Sequence, residues 1–217
     1  MRAPRFVARR RLLAAGAAPI GLALPAAAPA AGPLSPTPAQ ARGPFYPPDP
    51  PRDAGPDLVV ERDGRRARGE PLRFSGRVID TAGRPLAGAR VELWQCNSDG
   101  RYHHPRDDSP APVDPLFRGF GRTVADGDGR WAFRTIRPVP YPGRTPHLHL
   151  LVATPDGRTL VTQAYVRGEP GNARDGLLGW LSADQRERLM IDLVRAADAG
   201  WTASFDVVMP GRAGPVG

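Results

Sequence analysis

Two histidines placed two residues apart are the clearest chemical feature of this 217-residue chain. His147 and His149 alternate in the run His-Leu-His-Leu-Leu-Val, which is typical of a β-strand. Residues i and i+2 of a strand point to the same face, roughly 6–7 Å apart at Cα, so both imidazoles could reach one metal ion. Imidazole binds zinc, copper, iron or nickel, so the pair does not identify the metal, and such a pair also occurs on solvated strand faces.

Two tyrosines near the pair strengthen the hypothesis of a metal site. Tyr141 lies just upstream, and Tyr102 follows the distinctive segment 94–101, Trp-Gln-Cys-Asn-Ser-Asp-Gly-Arg. A phenol has a reference pKa of about 10, but a trivalent ion holds it as phenolate at neutral pH. Hard phenolate oxygens favour ferric iron. Two tyrosinates and one hydroxide balance its charge, and two neutral imidazoles complete an electrically neutral site that is less costly to bury.

Six groups of short motifs lie in order between about residues 43 and 170. They are Gly43-Pro44-Phe45-Tyr46, Gly76-Arg77-Val78, the segment 91–102, the segment 133–138 with Tyr141-Pro142, Arg144-x-x-His147-x-His149, and Thr162-Gln163-x-Tyr165 with Gly168-Glu169-Pro170. One of them alone would be weak, but the ordered set is specific. Together they resemble the intradiol ring-cleavage dioxygenases, and most of all the protocatechuate 3,4-dioxygenase β-subunit type.

The resemblance implies a non-haem Fe(III) enzyme. Such an enzyme cleaves a catechol-type ring between its two hydroxylated carbons with O2 and gives a muconate-type diacid. The implied iron ligands are Tyr102, Tyr141, His147 and His149, with Tyr141 axial and able to leave the iron and take a substrate proton. The implied partners are a catechol-type small molecule and O2, and the resemblance also allows a homo-oligomer.

Two further positions match family residues near the substrate. Arg144 matches an arginine that lies over the substrate, where a fixed cation would stabilise anionic character in the ring. Gln163 matches a glutamine beside the same pocket. The alternatives are a surface arginine and an exposed strand glutamine. Trp94 and Trp131 are predicted to be core residues.

The segment between Tyr141 and His147 departs from the family pattern. Only five residues separate the two positions, and Gly143 stands where protocatechuate enzymes of this type have an aromatic residue within a longer insertion. The shortening should open or reshape the pocket. Neither protocatechuate specificity nor an assembly of paired α and β subunits is therefore predicted.

The first 30 residues predict a signal peptide. They contain five Arg and no Asp or Glu, and the run Arg9-Arg10-Arg11 leads into an apolar, Ala-rich stretch that ends in small residues. This order is typical of secretory leaders, and the adjacent arginines indicate the bacterial twin-arginine route to the periplasm or exterior. An Arg-rich tail and retention in the cytoplasm are the alternatives. The apolar stretch is too short and too interrupted by Pro and Gly for a secure membrane span.

The charge pattern does not indicate a nucleic-acid-binding protein. The formal net charge of +8 falls to +3 without the five leader arginines. All thirty basic residues are Arg, they are interleaved with acids, and they form neither a basic stripe nor a nucleic-acid-binding motif. Cys96 is the only cysteine, so an exported fold must be stable without an intrachain disulfide.

The pattern of the remaining chain predicts a single all-β domain. Residues 31–57, rich in Pro, Ala and Gly, predict a linker that becomes an extended arm, with a disordered connector over 31–41 as the alternative. Residues 58–217 predict an antiparallel β-sandwich with Greek-key-like connections and long loops. The predicted strands are 72–80, 89–94, 130–136, 147–153, 160–167 and 202–209. A capping box, Ser182-x-x-Gln185, followed by Leu189, Leu193 and Val194 predicts one C-terminal helix.

Two other classes of protein fit parts of the sequence. Residues 76–80 and 85–91 resemble the opening hairpin of transthyretin-like and carboxypeptidase-regulatory domains, which are non-catalytic modules, and metal content would separate these from the enzyme. A zinc hydrolase could use His147 and His149. Catalytic zinc sites usually also draw on carboxylate or thiolate, however, and residues 129–149 contain no acid.

Overall fold

Two five-stranded β-sheets share one apolar core in the computed structural model, which describes residues 32–197 and 200–211. The strands are β1 (Glu61–Arg62), β2 (Arg65–Arg66), β3 (Pro71–Ile79), β4 (Arg90–Trp94), β5 (Phe120–Val124), β6 (Arg130–Ile136), β7 (His147–Ala153), β8 (Thr159–Val166), β9 (Met190–Ile191), β10 (Val194–Arg195), β11 (Trp201–Ser204) and β12 (Val207–Val208). Between β8 and β9 lie a 3₁₀-helix (Pro170–Ala173) and two short α-helices, α1 (Gly176–Gly179) and α2 (Ala183–Glu187). Strands β1 and β2 form a separate two-stranded sheet. The predicted all-β sandwich is confirmed.

The two sheets differ in how their strands pair. In the first sheet, β6 pairs antiparallel with one edge of β3, while β11 and β12 pair parallel with the other edge. Strand β10 extends this sheet by an antiparallel pairing with β11. The second sheet has the order β5-β4-β7-β8-β9 and is antiparallel except for the pair β8–β9. Three parallel pairings thus modify a mainly antiparallel sandwich.

Strand β7 has one face in the main core and places its two histidines on the other face. Leu148 and Leu150 are fully buried in the main core. His147, His149 and Leu151 alternate with them, and Leu151 belongs to a second apolar cluster. Because side chains alternate along a strand, the histidines share the face of this second cluster.

Five of the six predicted strands are confirmed to within one residue at each end, as β3, β4, β6, β7 and β8. The sixth is interrupted between β11 and β12. There the Asp206 carboxylate accepts the backbone N–H of Arg77 at 2.9 Å. At the same point a Cβ on Gly76 would lie 1.9 Å from the carbonyl oxygen of Phe205, so only glycine fits this close approach. Strand β5 was missed because its sequence, Phe-Gly-Arg-Thr-Val, has a weak alternation.

The predicted C-terminal helix is real at its start and wrong at its end. The Ser182 side chain accepts the N–H of Gln185, and the Gln185 side chain accepts the N–H of Ser182, which completes the capping box. The helix ends at Glu187, however, and Val194 lies in β10. The stripe through Leu193 and Val194 is not helical because the chain returns there to pair with the sheets.

Residues 32–56 contain no helix or strand, yet they run in backbone contact with the sandwich. The N–H groups of Thr37 and Gln40 donate to the carbonyl oxygens of Val208 and Val161, both at 2.9 Å. Over its described residues this segment, here called the strap, is hydrogen-bonded to the sandwich. The predicted signal peptide, 1–30, lies outside the described residues. Within the described part, no helix is long and apolar enough to cross a bilayer.

Candidate metal centre

Strand β7 places the two histidines on one buried face. His147 and His149 are each 2% exposed, so they do not belong to a solvated strand face. Their Nε2 atoms are 3.2 Å apart. The Nδ1 atom of His147 lies 2.6 Å from the carbonyl oxygen of Thr145, which assigns the proton to Nδ1 and leaves Nε2 with its lone pair. Both Nε2 atoms thus face the same point.

Burial keeps both imidazoles neutral. It lowers the pKa of His147 to about 3, and the nearby Arg144 cation acts in the same direction. Burial also lowers the pKa of His149 well below its ordinary value, reinforced by His147 and Arg144. Neutral imidazole is the form that binds a metal ion. Both imidazoles are therefore in the charge state that binds a metal ion.

Tyr102 enters the site from the loop after β4. The side-chain oxygen of Asn97 shapes this loop by accepting the N–H groups of Asp99 and Arg101 at 2.9 and 3.0 Å. The N–H of Tyr102 donates to Asp107 at 2.7 Å. The Tyr102 hydroxyl is buried and makes no hydrogen bond of good geometry among the described residues, although the Tyr141 hydroxyl lies near enough to affect its pKa. Burial raises the pKa of this phenol well above its ordinary value, so an adjacent metal cation would be needed to hold it as phenolate.

Tyr141 reaches the same point from a turn between β6 and β7. The N–H of Arg144 donates to the carbonyl oxygen of Tyr141 at 2.9 Å, and Gly143 takes the left-handed conformation that the turn requires, with φ of 80°. The Tyr141 ring lies 5.5 Å from the rings of both Tyr102 and His147. Tyr141 is only partly buried, whereas Tyr102 is 3% exposed. The tyrosine that the resemblance makes axial is the more accessible one.

Arg144 is oriented by four side chains of the site. Its Nε donates to Asp175 at 2.9 Å, and its Nη1 donates to the Tyr141 hydroxyl at 3.3 Å. Its Nη2 donates to Gln163 at 2.6 Å and to the Tyr165 hydroxyl at 3.2 Å. The side chain is 15% exposed. Arg144 is therefore a fixed cation of the site and not an ordinary surface arginine.

Asp175 is the residue of this site that the sequence did not reveal. It is 2% exposed, accepts the N–H of Thr145 at 3.1 Å, and caps α1 by accepting the N–H of Leu177 at 3.0 Å. Burial acts to raise its pKa, but the Thr145 N–H and the Arg144 guanidinium outweigh burial, so the pKa lies below its ordinary value. No local motif marks Asp175, because only the fold brings it to Arg144.

Strand β8 places two polar side chains opposite the histidines. Gln163 pairs with His149 in the register of β7 and β8, and Tyr165 pairs with His147. Gln163 is fully buried, and its Nε2 donates to the carbonyl oxygen of Ala41 in the strap at 2.8 Å. The alternative of an exposed strand glutamine is therefore wrong. Tyr165 stood in a recognised motif, but its contact with Arg144 could not be read from the sequence.

Aromatic side chains enclose the candidate ligands. Trp94 stacks on His149 with ring centroids 4.8 Å apart and planes 10° apart, so this predicted core residue also contacts the site directly. Phe45 of the strap stacks on Tyr102 at 4.7 Å. Trp131 packs in the main core, as predicted. The candidate site is thus shielded by apolar rings.

The residues present fit a hard trivalent ion better than zinc. Two phenol oxygens and two imidazole nitrogens come together, and one of the phenols has no other partner. Among residues 32–197 and 200–211, no group of three or more His, Cys, Asp or Glu side chains could hold a metal ion. A zinc hydrolase site would need a carboxylate or thiolate beside the histidine pair. The zinc alternative therefore lacks a third ligand.

A cleft of about 380 Å³ opens beside the site. Its lining includes Tyr141, Gly143, Arg144 and Arg174. Gly143 adds no side chain to the wall of this cleft. A larger groove, of about 650 Å³, contains none of the candidate ligands and is not the candidate site.

Comparison with known proteins matches most of the chain to one family of enzymes. The family model described as Dioxygenase matches residues 41–211. The protocatechuate 3,4-dioxygenase beta chain of Burkholderia cepacia is 39% identical over 157 residues, which covers 66% of this chain and 66% of that protein. The hydroxyquinol 1,2-dioxygenase of a Rhizobium species is 31% identical over 193 residues, which covers 76% of this chain and 61% of that protein. The chain thus spans two thirds or less of the length of these relatives.

Solved structures give the same result. The dioxygenase domain of a dioxygenase carbohydrate-binding protein fusion from Streptomyces sp. SirexAA-E is 33% identical with a TM-score of 0.65, and the match covers 81% of this chain and 99% of that chain. The hydroxyquinol 1,2-dioxygenase from Pseudomonas putida is 25% identical with a TM-score of 0.64, covering 82% of this chain and 68% of that chain.

Proposed function

Because the chain belongs to the intradiol ring-cleavage dioxygenase family, we propose that it is a non-haem iron dioxygenase acting on a catechol-type substrate. The reaction breaks the ring bond between the two hydroxylated carbons and adds both atoms of O2, giving a muconate-type diacid. Such a reaction belongs to the breakdown of aromatic compounds. The observation that carries the proposal is the convergence of Tyr102, Tyr141, His147 and His149 in one buried site.

These four side chains are the proposed ligands of ferric iron. When bound, ferric iron would supply a centre that chelates both catechol oxygens and draws electron density from the ring, which makes the ring reactive toward O2. The unpartnered hydroxyl of Tyr102 supports this assignment, because buried polar atoms normally have a partner. The contact of His147 Nδ1 with Thr145 supports it as well, because it holds the imidazole in one orientation.

Tyr141 is proposed to accept a proton from the substrate. A catechol that binds through both oxygens must lose two protons, and one of them needs an acceptor within the site. Tyr141 is partly exposed and lies in a turn, so its ring can move without displacing a strand. Tyr102 is fixed in its loop by the bond of its N–H to Asp107, which supports a lasting role as ligand.

Arg144 is proposed to stabilise negative charge that develops on the ring. Asp175 and Gln163 hold its guanidinium in place, so the cation needs no reorganisation during the reaction. The side chain is mostly buried, where a fixed charge acts more strongly than it does in water. Gln163 is proposed to position Arg144 and to connect it to the strap through Ala41.

The enzyme is supported over the non-catalytic sandwich module. The relatives are dioxygenases by name. A module that only binds or packs has no need of a buried set of two tyrosines and two histidines, and burying these polar groups without a ligand is costly. The hairpin at residues 76–91 is therefore interpreted as part of the catalytic domain.

Incubation with a panel of catechols under ¹⁸O₂ tests the proposal. The panel contains catechol, protocatechuate and hydroxyquinol, because the shortened segment before His147 leaves the ring substituents open. The expected product is a ring-opened diacid with one labelled oxygen in each new carboxyl group. A product with a single labelled atom, or with the ring broken outside the two hydroxylated carbons, would contradict the proposal.

We also propose that the chain forms a homo-oligomer. Sedimentation of the purified protein determines its oligomeric state.

We further propose that residues 1–30 export the folded protein by the twin-arginine route. Replacing Arg9, Arg10 and Arg11 with Lys should leave the protein in the cytoplasm with its iron bound, because the route reads the arginines as an address. Replacing Arg2 and Arg5 with Lys is the matched control. An unchanged periplasmic yield from the first variant would point to another route.

A further inference from the structure

Residues 43–46, here called the roof segment, lie over the candidate metal centre. A Cβ on Gly43 would lie 3.4 Å from Cε1 of His149, so the glycine backbone sits against that imidazole. Phe45 stacks on Tyr102 with ring planes 27° apart and meets the Tyr141 ring edge-on at 6.4 Å. The roof segment therefore contacts three of the four proposed ligands.

Tyr46 ends the roof segment with a hydrogen bond into the second sheet. Its hydroxyl donates to Oε2 of Glu92 at 2.7 Å. Its ring packs edge-on against Trp94, with centroids 5.0 Å apart, and Trp94 stacks on His149. Burial raises the pKa of Tyr46 to about 12, and Glu92 adds to this effect, so the phenol keeps its proton as a donor near neutral pH.

Glu92 is a buried carboxylate on the face of β4 that also carries Arg90 and Trp94. It is 2% exposed and pairs with Leu151 in the register of β4 and β7. The Nε atoms of Arg122 and Arg90 lie 3.0 and 3.3 Å from its Oε1. Burial of a carboxylate is costly unless both oxygens are well paired. Tyr46 supplies the partner for the second oxygen.

From these contacts we infer that Tyr46 and Glu92 are positioning residues of the metal centre. Their hydrogen bond holds the roof segment against Tyr102 and His149, which retains the metal ion and keeps water away from its ligands. The part of this inference that concerns the metal rests on the proposed function. The docking of the roof segment does not depend on it.

Replacing Tyr46 with Phe tests the inference, because the change removes the hydroxyl and keeps the ring. Arg42 directly precedes the roof segment and is exposed, so trypsin can cut after it once the segment lifts. Loss of a hydrogen bond to a charged acceptor should raise the population of the lifted state about tenfold or more. Cleavage after Arg42, followed by mass spectrometry, should accelerate by the same factor in protein with or without iron.

Release of iron to a chelator is the second measurement. Iron should leave the Tyr46→Phe variant about tenfold faster than the wild type, because a lifted roof exposes His149 and Tyr102 to solvent. A readout of metal retention separates positioning of the centre from a general effect on activity. Glu92→Gln keeps an acceptor for the Tyr46 hydroxyl and should give an intermediate rate.

Trp201→Phe is a matched control on the other sheet. The Trp201 Nε1 donates to Glu70 at 2.8 Å, and Glu70 is also bound by Arg137 and Arg195, both at 3.2 Å. This variant likewise removes an aromatic donor from a carboxylate held between two arginines. It should change neither the cleavage after Arg42 nor the release of iron.

The outcomes separate the two proposals. If iron leaves the wild type and the Tyr46→Phe variant at the same rate, the positioning role is overturned. The proposed function would then still stand. Unchanged cleavage after Arg42 in Tyr46→Phe would overturn the docking role of the hydrogen bond. Wild type that binds no iron would overturn the proposed function, and the positioning role with it.

Discussion

The side chains at the candidate metal centre are distinguished by which of their polar atoms already have partners. His147 uses Nδ1 for Thr145 and leaves Nε2 free toward His149. The Tyr102 hydroxyl has no partner within the described part of the chain. Arg144, by contrast, has partners for each of its three nitrogens. The Tyr102 hydroxyl thus remains available to a metal ion, whereas the nitrogens of Arg144 are already held by their partners.

The two tyrosines should respond differently to loss of their hydroxyls. Tyr141→Phe should still bind iron but form the catechol complex slowly, because a proton acceptor is missing. Tyr102→Phe should mainly weaken iron binding and the visible colour, because Tyr102 is the buried and fixed ligand. Stopped-flow mixing with a catechol under anaerobic conditions measures the first effect, and iron titration measures the second.

Tyr165→Phe is the control for this pair. Its ring lies 5.7 Å from His147, so the same atom is removed beside the site without removal of a proposed ligand. Iron content and colour should stay as in the wild type. If Tyr141→Phe forms the catechol complex at the wild-type rate, Tyr141 is not the proton acceptor. The proposed iron site would still stand.

Substitutions of Arg144 and Asp175 should lower kcat to different extents. Arg144→Gln should lower kcat by about 10²–10³-fold and affect substrate affinity far less, because a preorganised charge acts mainly on the transition state. Asp175→Asn keeps the cation but weakens its anchor, and a loss of about tenfold is expected. Arg77→Gln, which breaks an exposed pair with Asp206, is the control. Unchanged kcat in Arg144→Gln would show that the residue has no role in the reaction.

At the scale of elements, the site depends on one register in the second sheet. Strand β7 lies between β4 and β8, and the pairing places Trp94 on one side of His149 and Gln163 on the other. A shift of one residue would turn the histidines into the main core. The strand that carries the ligands is thus fixed from both sides by the residues that surround them.

Two adjacent leucines of β7 test this division of faces. Leu150→Ala should lower the free energy of unfolding by about 2–5 kcal/mol, because it opens a cavity in the main core, and should leave the visible band unchanged. Leu151→Ala lies on the face of the histidines and should shift the band or weaken iron binding. Denaturant titration and absorption spectra measure both effects. A band shift in Leu150→Ala alone would contradict the assignment of faces.

Sequence reasoning succeeded where the signal is local and periodic. The alternation of 147–153 predicted both the bounds of β7 and the shared face of its histidines. It failed for contacts that only the tertiary fold brings about. Asp175 meets Arg144 only after α1 is placed, and Val194 leaves the helical pattern because β11 offers a partner. The path of the Pro-rich strap likewise depends on distant backbone acceptors such as Val161 and Val208, which its own composition does not encode.

At the scale of the whole molecule, the two apolar clusters have different roles. The main core between the sheets stabilises the sandwich, and the second cluster on the outer face of β4 and β7 surrounds the candidate ligands. The strap covers that second cluster through Phe45 and Tyr46. The same chain therefore provides a scaffold and, on its outer face, a site covered by a segment that precedes the scaffold in sequence.

Metal analysis of the purified protein, combined with its visible spectrum, tests the central claim most directly. A site of two tyrosines and two histidines should hold about one ferric ion per chain and show a broad visible band from phenolate-to-iron charge transfer. The band should change when a catechol is added without oxygen. Stoichiometric zinc with no visible absorption would contradict the account.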